Sequence, residues 1–169
     1  TISAAEHTIA LILALSRNIH IGHFSLKNGK WNRHELVGSE LKNKTIGIFG
    51  LGKIGKEVMD RAIAFGMNVL CYDPFVKQEL YSDKEINITD IDDVISNSDY
   101  ISLHMPLNKE TKHLFNYDLF KAMKPTARII NVARGGIINE NDLARALNEG
   151  VIRGAAIDVS VSYTHLRAH

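Results

Sequence analysis

The segment that most restricts the fold of this chain is Thr45-Ile-Gly-Ile-Phe-Gly-Leu-Gly-Lys-Ile-Gly55, an apolar run of strand character that passes through a glycine-rich turn into a helical pattern. The three glycines of the turn have separate physical duties. Gly50 makes the tight turn off the strand, Gly52 lets a ligand's pyrophosphate approach the backbone with no Cβ in the way, and Gly55 lets the helix pack close to the sheet. A pyrophosphate then meets N–H groups at the start of the helix, where the helix dipole favours negative charge. Ile54, Val58, Ala62 and Phe65 recur at helical spacing, Gly66 is placed to stop that helix, and Met67 to Tyr72 reads as a buried strand. Asp73 follows, roughly 20 residues beyond the loop, the spacing at which a carboxylate accepts hydrogen bonds from the hydroxyls of an adenosine ribose. Its charge opposes the extra phosphate of NADP, so the pattern predicts a site for NAD.

The alternation continues down the chain. Glu85 to Ile88 reads as a short strand, Ile91 to Ile95 as a helical turn or two, and Tyr100 to Met105 as a strand ending in Pro106. Asn116 to Met123 reads as helix, Arg128 to Val132 as strand, Asn139 to Asn148 as a helix capped by Asn139 and stopped by Gly150, and Gly154 to Val159 as a final strand. Repeated βαβ units with right-handed crossovers predict an α/β fold of Rossmann type, a doubly wound parallel sheet in a single domain. Upstream, Ser3-Ala-Ala-Glu6 has the form of a capping box, and the residues after it predict one helix, apolar nearly all round, lasting to about Phe24. Such a helix needs cover on two sides, so residues 1–25 are expected to meet a second domain or subunit. Leu26 to Lys44 reads as a polar connection in which Trp31 is either a satellite of the core or an interface anchor.

Length and composition narrow the classes. The 169 residues, 45% of them hydrophobic, suffice for one domain with a sizeable core and not for two ordinary ones. Twenty basic and 19 acidic residues nearly cancel without long blocks of either sign, so no footprint for DNA or RNA is expected. The longest apolar run, Ile9 to Leu15, falls short of the roughly 20 residues of a membrane span, and no signal peptide precedes it. These features predict a cytoplasmic protein with no membrane partner. Cys71, the single cysteine, has no partner for an internal disulfide and reads as a buried apolar residue. The eight histidines form no ligand cluster; His20 and His23, three apart on a helix, lack further ligands, and no metal is expected. His104 ends a strand and could lie near a cofactor, although a satisfied structural histidine is the preferred reading.

In parallel sheets ligands bind beyond the carboxyl ends of the strands, which directs attention to Gly50 to Gly55, Asp73-Pro74, His104-Met-Pro-Leu107, Asn131 to Gly136 and Asp158. Arg134 stands directly after a buried strand beside two glycines, where an arginine fork can hold a carboxylate bidentately.

The run Gly50-Leu-Gly-Lys-Ile-Gly55, the Tyr72-Asp-Pro74 strand end, Ser102-Leu-His-Met-Pro-Leu107 and above all Ile130-Asn-Val-Ala-Arg-Gly-Gly136 resemble the NAD-binding domain of the D-2-hydroxyacid dehydrogenases. Ala14-Leu-Ser-Arg-Asn-Ile19, Ser25 to Asn32 and Ala64-Phe-Gly-Met67 resemble the branch acting on 3-phosphoglycerate at the start of serine biosynthesis. The resemblance covers residues 1–159 and implies hydride transfer between NAD and a D-2-hydroxy or 2-keto acid. It implies Arg134 as the catalytic arginine that holds the substrate. Lys53 and Ile54 fall at the pyrophosphate, Asp73 at the ribose, Val132 and Ala133 beside the cofactor, Asp158 near the nicotinamide amide, and Pro106 and Thr111 in the cofactor groove. It also implies a homodimer through residues 1–31.

The departures are specific. Tyr163 stands where the family glutamate is expected, the Pro-His segment carrying the catalytic base does not appear, and residues 160–169 do not resemble the family; His165 and His169 in that tail have no evident packing to orient them. The expectation is therefore an NAD-binding fragment of a two-domain enzyme, lacking its substrate domain and inactive by itself. Two alternatives remain: a dehydrogenase for lactate or for glycerate and hydroxypyruvate, and a corepressor-like module that senses NAD.

Overall fold

A computed structural model describes residues 1–161. Six strands, β1 (Thr45–Phe49), β2 (Asn68–Tyr72), β3 (Ile86–Ile88), β4 (Tyr100–Leu103), β5 (Arg128–Asn131) and β6 (Gly154–Ile157), form one sheet in the order β3-β2-β1-β4-β5-β6. Every neighbouring pair is parallel. This is the doubly wound Rossmann arrangement, and the chain reverses its direction of travel across the sheet between β1 and β4, where such folds open a crevice for ligands. The expected fold class is thereby found.

The helices are α1 (Ile2–Ser16), α2 (Ile19–Lys27), α3 (Lys53–Ala64), α4 (Ile91–Asn97), α5 (Tyr117–Ala122) and α6 (Glu140–Asn148). Because side chains alternate along a strand, each strand feeds two cores. Ile46 and Ile48 of β1, Val69 and Cys71 of β2 and Ile130 of β5 pack with Ile9 and Ile12 of α1 and with Val58, Met59 and Ala62 of α3. Phe49, Ile101, Leu103 and Ile129 point the other way, against Val94 and Ile95 of α4, Phe120 of α5 and Leu143 and Ala146 of α6. Covering both faces explains why the central strands read as continuous apolar runs. Each of these large side chains contributes about 1.5–3 kcal/mol by leaving water.

Local chemistry starts and stops several elements where the sequence predicts. Asn139 Oδ1 accepts from Asp142 N–H at 3.1 Å to cap α6, and Asn116 Oδ1 accepts from Leu119 N–H at 3.0 Å to cap α5. Gly66 and Gly150 follow the ends of α3 and α6 with φ of 71° and 69°. Cys71 is buried, and Trp31 is exposed.

The amino-terminal region differs from the expectation. Helix α1 begins after Thr1 with no side-chain capping bond, so Ser3-Ala-Ala-Glu6 lies inside the helix and is not a capping box. It ends at Ser16 instead of continuing to about Phe24, because Asn18 adopts the left-handed conformation, φ 54°. Asparagine tolerates that conformation, and its Nδ2 donates to Val37 O at 3.2 Å. Helix α2 leaves at 65° to α1. Burial divides accordingly: Ala5, Thr8, Ile9, Ile12 and Ser16 of α1 are buried, whereas Ile19, Ile21, Phe24 and Leu26 of α2 are exposed. No single helix among the described residues is long and apolar enough to cross a membrane. Strands β4 and β6 end at Leu103 and Ile157, two residues short of the expected ends. Tyr163, His165 and His169 lie outside the described residues.

Candidate cofactor site

Register decides what meets at the carboxyl edge of the sheet. Phe49 of β1 is level with Tyr72 of β2 and Leu103 of β4, so Gly50, Asp73 and His104 emerge together. Two backbone bonds continue the ladders past the strands: Gly50 N–H donates to Tyr72 O and His104 N–H to Phe49 O, each at 2.8 Å.

The glycines are confined by different neighbours. Gly50 has φ 95°, and a Cβ there would sit 2.7 Å from His104 O. A Cβ on Gly55 would fall 2.0 Å from Gly50 O, so the helix closes against the turn itself as well as the strand beneath it. Gly52 is the opposite case, since its Cβ direction meets nothing within 4 Å. Gly52 is also the N-cap of α3 and brings no side-chain capping bond. The first-turn N–H groups, those of Lys53, Ile54 and Gly55, therefore open toward space that an anion can approach.

Asp73 is fastened to this loop. Its Oδ2 accepts from Leu51 N–H at 2.8 Å and its Oδ1 from Phe75 N–H at 2.9 Å. A carboxylate has about four lone-pair sites, so two oxygens each used once leave acceptors for a diol. The bond to Leu51 fixes the acidic side chain against the turn that precedes α3, which sequence spacing alone does not require.

Between these strand ends lies a groove of about 550 Å³, bounded by Gly50, Gly52, Asp73, His104, Pro106 and Thr111. Six of the residues weighed in the sequence thus share one cavity: Gly50, Gly52, Asp73, His104, Pro106 and Thr111. Thr111 acts on the loop itself, donating to Pro106 O at 2.6 Å and accepting from Asn108 N–H at 2.9 Å. Of the remaining walls, Pro74 and Met105 belong to the strand-end loops named in the sequence, while Phe75, Ile91 and Leu114 were not picked out. Phe75, Ile91, Met105 and Leu114 supply apolar surface, and Asn108 and Glu110 line the rim. Phe75 is 92% exposed, and an aromatic residue directly after Asp73-Pro74 was the signal available in the sequence.

His104 combines the two roles weighed for it. It lines the groove, and its Nε2 lies 2.7 Å from the buried Ser102 Oγ. Burial pushes its pKa down to about 4, so the ring is neutral at pH 7. Within β2, burial and then the Asp73 carboxylate push the Cys71 thiol up to about 12, which leaves it unreactive.

The other expected residues stand further along the same edge. Leu103 is level with Asn131 and Asn131 with Ile157, placing Val132 and Asp158 beside each other at the ends of β5 and β6. Val132 and Ala133 are partly buried against the two cores. The Asn131 side chain shapes the turn, accepting from Ala133 N–H and donating to Arg134 O, both at 3.0 Å. Arg134 projects from that turn exposed to solvent, with Nη1 donating to Ala133 O at 2.6 Å. It does not line the groove that holds Gly50 and Asp73; nor do Val132, Ala133 and Asp158. Asp158 has a partner absent from the sequence reading: His7 Nε2 of α1 is 3.3 Å from Oδ1. Among the described residues no group of three or more His, Cys, Asp or Glu could hold a metal ion.

A uncapped helix start, an open Cβ direction at Gly52 and a pinned carboxylate are the features a dinucleotide requires, and comparison with known proteins agrees. The family described as D-isomer specific 2-hydroxyacid dehydrogenase, NAD binding domain, matches residues 9–166. Curated D-3-phosphoglycerate dehydrogenases from Synechocystis and Bacillus subtilis are 46% and 48% identical over 159 residues, 94% of this chain and 29% and 30% of their own lengths. The chain thus spans less than a third of these relatives. Among solved structures, a D-lactate dehydrogenase from Aquifex aeolicus complexed with NAD and lactic acid superposes with a TM-score of 0.89 at 36% identity, over 98% of this chain and 50% of that one. A Staphylococcus aureus NAD-dependent formate dehydrogenase in complex with NAD gives 0.89 at 37%, over 96% and 49%. Sequence, fold and site geometry agree: this chain belongs to the D-isomer specific 2-hydroxyacid dehydrogenases, as their NAD-binding domain.

Proposed function

We propose that the chain holds the cofactor for interconversion of a D-2-hydroxy acid and its 2-keto acid, with 3-phosphoglycerate as the leading substrate and lactate as the second. The names of the Synechocystis and Bacillus relatives support that order, and the lactate-bound Aquifex structure supports the alternative. Bound NAD supplies the hydride acceptor or donor, while the protein supplies binding and orientation. In this reading the N–H groups of Lys53, Ile54 and Gly55 hold the pyrophosphate, with Gly50 and Gly52 giving access. Asp73 accepts from the ribose hydroxyls, Pro106 and Thr111 wall the groove, Val132 and Ala133 flank the nicotinamide end, and Asp158 faces its amide. Arg134 is the catalytic residue here: its guanidinium fork binds the substrate carboxylate and steadies charge on the adjacent carbonyl oxygen.

The parent protein works in the cytoplasm, in serine biosynthesis, as a homodimer joined through residues 1–31. Support for the dimer is the bare apolar surface of α2 and its connection, where Phe24 and Trp31 are 70% and 75% exposed.

The observation that carries the cofactor reading is the bond from Leu51 N–H to Asp73 Oδ2, which holds a carboxylate beside the open helix start. Calorimetric titration with NAD and with NADP tests it. NAD is expected to bind at least about tenfold more tightly, because the additional ribose 2′-phosphate of NADP would face Asp73. Equal affinity, or preference for NADP, would overturn the assignment.

A further inference from the structure

We infer that the amino edge of the sheet, opposite the NAD site, carries a second anion site for a phosphate group, held by Arg128 and Arg153. Arg128 begins β5 and is level with Gly154, the first residue of β6, so Arg153 stands beside it. The Asn131 end of β5 faces the cofactor edge, and a strand rises about 3.3 Å per residue, so this site is separate from the glycine loop.

Arg128 is only 6% exposed, which is unusual for a guanidinium without an acid. Its one side-chain hydrogen bond among the described residues runs from Nη1 to Tyr100 Oη at 3.4 Å. Tyr100 Oη is already engaged with Ser16 Oγ at 2.8 Å. No ion pair within 4 Å involves Arg128 or Arg153 among the described residues. The nearby acid is otherwise employed: Asp99 Oδ2 accepts from Thr45 N–H at 2.9 Å and Oδ1 from Lys124 Nζ at 3.2 Å. Burial lowers the Arg128 pKa, outweighing the raising effects of Tyr100 and Asp99, and the neighbouring Arg153 charge adds to the lowering. A buried cation beside a like charge is costly until an anion joins it.

Two hollows share both arginines. The larger, about 350 Å³, is completed by polar groups including Asn18, His20 and Glu35; the smaller, about 180 Å³, includes Lys44 and Asp99. A phosphate carries about 1.5 to 2 negative charges and three acceptor oxygens, matching two guanidinium forks, which bind such groups bidentately. The recess favours a small diffusible ligand over the flat acidic surface of another protein. Glu35 can accept a hydrogen bond from a hydroxyl on the organic part of a phosphomonoester.

Calorimetric titration of this chain with inorganic phosphate and separately with glycerol 3-phosphate, chloride balancing ionic strength, tests the site. Saturable binding is expected, weakened at least about tenfold by Arg153→Gln, since charge-assisted bonds are lost. Arg153 is exposed, so that variant keeps the fold, which circular dichroism verifies. Tighter binding of the monoester identifies an organic phosphate as the ligand, and equal binding identifies the free ion. The inference is overturned by an absence of saturable binding with either probe, or by binding that Arg153→Gln leaves intact, which would place phosphate at α3. Inert phosphate together with dimer dissociation in Arg153→Gln also overturns it, because the cations would then meet a protein carboxylate.

Discussion

The two edges of the sheet handle a charged side chain in opposite ways. At the carboxyl edge Asp73 is met by two backbone N–H groups, from Leu51 and Phe75, because strands that end in tight turns leave donors unpaired by any ladder. At the amino edge Arg128 has a tyrosine hydroxyl at 3.4 Å and that ring's face, 5.5 Å from guanidinium to centroid. The first edge is pre-arranged by its own backbone. The second is organised by side chains from distant segments and stays short of negative charge.

That contrast predicts a ranking of effects. Gly55→Val should be the most disruptive change at the carboxyl edge, since its Cβ would lie 2.0 Å from Gly50 O and backbone cannot swing aside. A loss of about 3 kcal/mol or more is expected, read as a lowered urea midpoint with NAD binding abolished. A stable variant that binds NAD normally would show that the turn is not rigid.

His104 gives the same edge a pH signature. Its folded pKa, about 4, lies below the ordinary 6.5, so between those values the unfolded chain binds the extra proton. The neutral ring therefore costs nothing above about pH 6.5, and stability falls by about 3 kcal/mol as pH drops toward 4. Urea unfolding at about pH 7 and pH 4.5 should show a smaller difference in His104→Gln than in the unaltered chain. Parallel losses would mean that other groups carry the acid sensitivity.

Asp73→Asn keeps the shape and removes the charge. It should weaken NAD binding by about 1–3 kcal/mol and narrow the gap between NAD and NADP, as calorimetry can measure. At the amino edge, Tyr100→Phe should cost about 1–2 kcal/mol, because it removes both the contact with the Ser16 hydroxyl and the one side-chain hydrogen bond of Arg128. A cost in urea unfolding as large as that of Gly55→Val would erase the distinction between an edge built from backbone and one built from side chains.

Much of the carboxyl edge was legible because its causes are local. Three glycines in six residues, an acid at the end of the next strand and the asparagine cap at Asn139 each act within a turn or one βαβ unit. The groove was half legible: Phe75, Ile91 and Leu114 come from separate segments, and only register brings them to one cavity. The break at Asn18 escaped prediction because apolar periodicity continues across it and only the backbone's left-handed turn interrupts the helix.

By itself the sequence determined the parallel α/β fold, the glycine loop and the position of Asp73 at the end of the second strand, since hydrophobic periodicity and turn chemistry are short-range. Tertiary structure decided that His7 reaches Asp158 and that Arg134 and the groove occupy different stretches of one edge. It also decided that Ser16 and Tyr100, 84 positions apart, meet beside Arg128. Those pairings depend on strand register and on helices packed across the sheet, and neither leaves a mark within any short window of residues.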